Sequence, residues 1–192
     1  MSEEKKTVVN SWNEWDPLKH VIVGRATGTM VQAPEIAVQR EWTDDGFNLG
    51  TYGPYPENMT AKADEQLDNF AKILEGRGIR VDRPSLMDFS QTVQTPDWVQ
   101  ETMFGCMPPR DLLLTVGNEI VEATMSYRSR WFEYLCFRPL LEQYFKEDPL
   151  FLFSAAPKPR LSEDTYKKDW WKNWKSMSDE EQWEFAERSD WI

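Results

Sequence analysis

The stretch Cys106–Ala123, CMPPRDLLLTVGNEIVEA, decides how this chain is read. Leu112–Val116 and Ile120–Ala123 are two apolar, partly β-branched runs, and Gly117-Asn118 stands between them. That pattern predicts an antiparallel hairpin. An Arg110-Asp111 pair sits at its mouth, directly after the rigid Pro108-Pro109 segment. Asp111 therefore has two readings. It is either the acidic half of an internal ion pair with Arg110, Arg128 or Arg130, or a carboxylate on a stiff support that receives a planar cation from outside. A carboxylate suits a guanidinium because two parallel hydrogen bonds can join them.

Working outward, SRWFEYLCFRPLLEQYFKED (129–148) reads as helix. Pro139 must mark a break or a new start there, because it has no N–H to donate. Phe151–Ala155 follows as an apolar strand closed by APKP. Upstream, β-branched Val21, Ile22 and Val23 predict a buried strand over 19–26, ended or bent by Gly24. In TAKADEQLDNFAKILEGRG, residues Ala63, Leu67, Phe70, Ala71 and Leu74 share one helical face. Thr60 is the expected N-cap, and Gly76 and Gly78 the stop. IRVDRP is a short strand ended by Pro84. Residues 85–110 read as loop, with a turn at TPDW (95–98). Residues 27–58, rich in glycine and proline, read as a surface excursion. Two helices, each flanked by strands, hint at a repeated β-plus-helix unit of about 70 residues.

The 192 residues include 40% hydrophobic and 29% charged side chains, a balance that favours a globular fold over disorder. The net charge of -11 argues against a nucleic-acid partner, which calls for a basic face. No segment approaches the roughly 18 apolar residues of a membrane span, and the N-terminus has no signal-like apolar run. Residues 1–10 read as a flexible leader, 11–160 as the folded body and 161–192 as a tail rich in tryptophan: Trp170, Trp171, Trp174, Trp183 and Trp191. Ser178 with Glu181 matches a capping box, which predicts a helix from Asp179 to Glu187.

Other reactive side chains are few. His20 is the only histidine. With no cysteine or carboxylate cluster near it in sequence, it reads as an ordinary edge residue, and no metal site is expected. Cys136 reads as core. Cys106, just before the Arg-Asp pair, would need a base or a lowered pKa to act as a nucleophile, and none is evident. Two thiols without metal-ligand spacing suit a reducing cytoplasm.

NSWNEWDPLKHVIVGRA, GIRVDRP, TPDW, PRDLLLTVGNEIVEATMSYRSRWFEY and AAPKP, in that order, resemble the glycine/inosamine amidinotransferase family between Asn10 and Pro159. Residues 27–58 and the tail do not. The resemblance implies an α/β fold of the pentein type, a propeller of ββαβ modules, of which this chain would be an incomplete N-terminal part. It also implies transfer of an amidino group from L-arginine to glycine or a related amine through an amidino-cysteine, with no metal or organic cofactor. It places Asp111 against the donor guanidinium, and Arg110 and the arginines of RSR in the framework. The family's catalytic aspartate, histidine and cysteine have no counterpart here: His20 is not that histidine, and neither cysteine aligns with the nucleophile. The expectation is thus a chain that contributes an arginine-binding wall without turnover of its own. Small-molecule substrates are its expected partners, and a homodimer is compatible with the resemblance. Two rivals stand beside it: a hydrolase on the same fold, which would yield citrulline, and a non-catalytic arginine-binding protein.

Overall fold

A computed structural model of the chain describes residues 7–37, 52–165 and 177–187. Nine short strands and four α-helices are found among them, and the fold is α/β. Strand β1 (His20–Ile22) enters a crossover through helix α1 (Glu57–Glu75) and pairs in parallel with β4 (Arg80–Asp82), His20 opposite Arg80. Between β1 and α1, β2 (Met30–Val31) and β3 (Gly53–Pro54) form an antiparallel pair. After β4, β5 (Val93–Gln94) and β6 (Val99–Gln100) form a hairpin around TPDW, closed by Thr95 N–H donating to the Trp98 carbonyl at 2.9 Å.

The opening stretch makes the largest sheet. A one-turn helix, α2 (Pro109–Leu112), leads into β7 (Leu113–Val116), which returns as β8 (Glu119–Glu122). The two-residue connection is Gly117-Asn118. Gly117 takes a left-handed φ of 61°, which glycine reaches without a Cβ penalty. Helix α3 (Arg138–Glu147) then crosses over to β9 (Leu152–Ala155), parallel to β8. Hairpin, helix and parallel strand make one complete unit, with β8 in the middle. Its inner face presents Ile120, which packs with Val9, Leu140, Leu141, Tyr144 and Phe151. A second core gathers Met30, Phe89, Met103, Cys106, Leu112, Met125, Cys136 and Phe137 beneath the α2 turn.

Several expectations change. Helix α1 starts at Glu57, with Pro56 before it, so Thr60 lies within the first turn and its hydroxyl donates to the Glu57 carbonyl at 3.1 Å. Phe70 is exposed, whereas Ala71 and Leu74 carry the packing. The stop is made as expected, with Gly76 as the C-cap and Gly78 at a φ of 77°, where Ile79 N–H reaches the Leu74 carbonyl. The strand expected over 19–26 is limited to three residues, and β7 begins one residue later than expected because Leu112 closes α2. Glu133–Cys136 and Arg128–Arg130 are 3-10 turns, and α-helix begins only at Arg138, with Pro139 in its first turn, where the missing N–H costs nothing.

Residues 7–10 are not leader. Val9 is buried, Val8 N–H donates to Asp148 Oδ2 at 2.9 Å, and Ser11 bridges Gly117. Nor are residues 27–37 a surface excursion, since Met30, Ala33, Glu35 and Ala37 are buried. The capping box is present at helix α4 (Asp179–Glu187): Ser178 N–H donates to Glu181 Oε2 at 2.7 Å, and Glu181 N–H to Ser178 Oγ at 3.3 Å. Residues 1–6, 38–51 and most of the tryptophan-rich tail lie outside the described residues. No helix among the described residues is long and apolar enough to cross a membrane.

Candidate functional site

Asp111 sits in the one-turn helix α2, which the prolines start and β7 ends. Its Oδ2 accepts from Arg130 Nη1 at 2.9 Å. Of the arginines considered from sequence, the internal partner is thus Arg130. Arg130 in turn grips Glu133, with Nε to Oε2 at 2.6 Å and Nη2 to Oε1 at 3.1 Å. The spacing of three residues brings that pair together across consecutive 3-10 turns. The Phe104 ring lies beneath the guanidinium, its centroid 5.6 Å from Arg130 Cζ.

The three side chains form a graded row. Asp111 is 42% exposed, Arg130 12% and Glu133 1%. Burial pushes the Glu133 carboxyl above its ordinary value, and Arg130 only partly opposes this. Burial also works against the Arg130 charge, but the Glu133 and Asp111 carboxylates outweigh it and hold that cation firmly. Asp111 Oδ1 has no protein hydrogen bond among the described residues. The row carries two carboxylates and one guanidinium, so it is one positive charge short, and its exposed end is the anionic one.

The support beneath Asp111 comes from the first strand. Gly24, just beyond β1, lies so close to the preceding loop that a Cβ there would stand 1.8 Å from the Met107 carbonyl oxygen. Arg25 and Cys106 form an isolated bridge beside it. HVIVGRA thus holds CMPPRD in place, which explains a glycine where a strand residue would otherwise fit. Glu35 fixes the other half of the site. Its carboxylate is buried and accepts from Arg128 N–H at 2.6 Å and Ser129 N–H at 3.1 Å, so the turn carrying Arg130 is anchored from below. Burial raises the Glu35 pKa despite those bonds. Glu35 did not stand out in sequence, and Gly24 did so only as the end of a strand. The Arg130–Glu133 pair did have a local signal, its i,i+3 spacing.

The two cysteines are placed in the interior. Cys106 is 0% and Cys136 1% exposed, and both belong to the core under α2. Each thiol is the largest influence on the other, lowering Cys106 and raising Cys136, and the Cys106 thiol donates to the Arg25 carbonyl at 3.8 Å.

His20 is not an ordinary edge residue. Nδ1 faces the Val8 carbonyl at 3.0 Å, and Nε2 faces Asp82 Oδ2 at 2.7 Å. Tyr144 donates to the same oxygen at 2.8 Å, and Arg80 binds both Asp82 and Glu147. Burial disfavours the Asp82 charge, but Arg80, Tyr144 and His20 together overcome it and lower its pKa. Tyr144 is raised by burial and by Asp82.

The geometry defines an α/β protein with an arginine-anchored, outward-facing carboxylate. Comparison with known proteins shows what this chain resembles. Mitochondrial glycine amidinotransferase of Xenopus laevis is 38% identical over 167 residues, covering 84% of this chain and 38% of that protein. Inosamine-phosphate amidinotransferase 1 of Streptomyces griseus is 38% identical over 163 residues, covering 83% and 46%. Among solved structures, the Streptomyces griseus inosamine-phosphate enzyme superposes with a TM-score of 0.76 at 36% identity, covering 84% of this chain and 46% of that one. An amidinotransferase of the saxitoxin biosynthetic pathway from Microseira wollei gives 0.72 at 40%, covering 84% and 45%. No family model matches the chain. The chain is a homologue of the glycine and inosamine-phosphate amidinotransferases, and it spans less than half the length of these relatives.

Proposed function

We propose that this chain forms the guanidinium-binding wall of an amidinotransferase that takes its amidino group from L-arginine. The observation that carries this is the row Asp111–Arg130–Glu133, with its missing positive charge and its open Oδ1 at the exposed end. A carboxylate with one oxygen tied to the protein still has lone pairs on the other, and a substrate guanidinium supplies both the donors and the absent charge. The homology to amidinotransferases supports the same assignment and favours a pentein-type propeller for the whole assembly.

In the complete reaction a thiolate attacks the guanidino carbon of arginine. The bond from that carbon to the δ-nitrogen breaks as the nitrogen takes a proton, and ornithine leaves. An acceptor amine, glycine or a related one, then attacks the amidino-thioether carbon and releases the thiolate. Neither Cys106 nor Cys136 can supply that sulfur from the core, so the nucleophile is assigned to residues outside these 192. Asp111 holds the guanidinium plane in place while the carbon is attacked.

Isothermal titration with L-arginine tests the reading. Saturable binding is expected, weakened about tenfold or more in Asp111→Asn, the scale of one hydrogen bond to a charged group. Binding that is absent, or equal in the variant, would sink it. In a parallel assay the chain alone is expected to release neither ornithine nor citrulline. Ornithine release lost in Cys106→Ala would overturn the placement of the nucleophile, and citrulline would point to hydrolysis.

A further inference from the structure

The row has a second carboxylate that substrate binding does not use. Glu133 is buried, and Arg130 is the group that binds it, through both oxygens. Burying an ionised carboxylate is costly unless it is paired, and replacing such a pair with apolar packing is often neutral or better. Stability alone therefore gives no strong reason to keep Glu133. Its effect on Asp111 does. Without Glu133, the Arg130 charge would fall wholly on Asp111, 2.9 Å away, and the pair would close on itself.

We propose that Glu133 is a positioning residue for guanidinium binding. By taking up the charge of Arg130 through a two-bond fork, it turns a single Arg130 nitrogen toward Asp111. This leaves the Asp111 carboxylate uncompensated, with one oxygen open to the ligand. Arg130 is the geometric link, since its planar fork allows Nε and Nη2 to serve Glu133 while Nη1 serves Asp111. A lysine could not divide its contacts in this way. The inference rests on Asp111 as the guanidinium contact.

The groups that face Glu133 are Arg130, from the preceding turn, and Asp111, from α2. Its charge also reaches the thiols of Cys106 and Cys136. Protonating Glu133 has the same effect as removing its charge. Because burial lifts its pKa, ligand affinity should fall with acid before ordinary carboxylates titrate.

The experiment is arginine titration calorimetry on the wild-type chain, Glu133→Gln, Arg130→Lys and Asp111→Asn, from neutral pH into the acid range, with melting curves alongside. Glu133→Gln keeps the shape and removes the charge. It should weaken binding about tenfold at neutral pH, the scale of a lost charged contact, and abolish the early acid limb of the affinity profile. Arg130→Lys should weaken binding in the folded fraction that the melting curves define. No binding by the wild type would refute the Asp111 reading itself. Wild-type binding lost in Asp111→Asn but unchanged in strength and pH profile in Glu133→Gln would refute the positioning role and leave Asp111 standing. If Glu133→Gln fails to fold, the Arg130→Lys affinity and the wild-type acid limb decide. Normal affinity in that variant together with no early limb would overturn the proposal.

Discussion

The molecule holds two carboxylate-centred ion networks built from similar parts and put to different uses. Around Asp82, His20, Tyr144 and Arg80 converge, and Glu147 binds the far side of Arg80. Both His20 nitrogens face acceptors, a carbonyl and a carboxylate. Both Asp82 oxygens are occupied by Arg80, His20 and Tyr144, so the network closes on itself. Around Arg130, two carboxylates share one guanidinium, and the outer one faces solvent. The closed network ties the N-terminal segment, β1, β4 and α3 together, whereas the open one ends in a half-exposed carboxylate held through one oxygen. Donor saturation and exposure, rather than the presence of an ion pair, separate a structural cluster from a candidate site.

Five variants, at four positions, can break or sharpen that contrast. Asp82→Ala leaves His20, Arg80 and Tyr144 facing a gap. It should cost about 3 kcal/mol in chemical denaturation, the scale of an interrupted buried pair, with arginine affinity retained in the folded fraction. Gly24→Ala should cost about 2 kcal/mol, because a Cβ there drives the Met107 carbonyl away. Unlike Asp82→Ala, it should also weaken arginine binding, since α2 moves with that carbonyl.

The pH dependence of stability should have opposite signs in the two networks. The Asp82 pKa is depressed in the folded state, so its contribution is present above the ordinary value of 3.8 and is lost as pH falls through the folded value. The advantage of wild type over Asp82→Asn should therefore shrink in acid. The Glu133 pKa is raised, so its relative contribution is fully present below 4.5 and is lost as pH rises through the folded value. The wild type should lose ground to Glu133→Gln as pH rises. Denaturation series at several pH values read both slopes, and slopes of equal sign would erase the distinction. The smallest stability effect belongs to Asp111→Asn, under about 0.5 kcal/mol for an exposed pair, although it has the largest effect on binding. A melting curve and a titration on the same sample check both halves.

The parts legible in sequence were those with local causes. The hairpin announced itself through Gly117-Asn118 between β-branched runs, α1 through its period, and the tail helix through Ser178 and Glu181. Asp111 was visible as a choice between two partners, and the structure supplied Arg130 while leaving one oxygen open. The His20 cluster could not be read, because its partners lie 62 and 124 residues away and leave no pattern in the neighbouring sequence. Glu35 was hidden for the same reason, since it caps backbone N–H groups more than 90 residues downstream. Gly24 looked like a strand terminator, and only the approach of the Met107 carbonyl shows why a side chain is excluded there.

The central contrast is tested most directly by following backbone amide and His20 ring signals by NMR while L-arginine is added. Saturating shifts at 110–112 and 128–133, with His20, Asp82 and Tyr144 unmoved, are the expected result. Shifts centred on the His20 cluster, or none near Asp111 at saturating arginine, would contradict it.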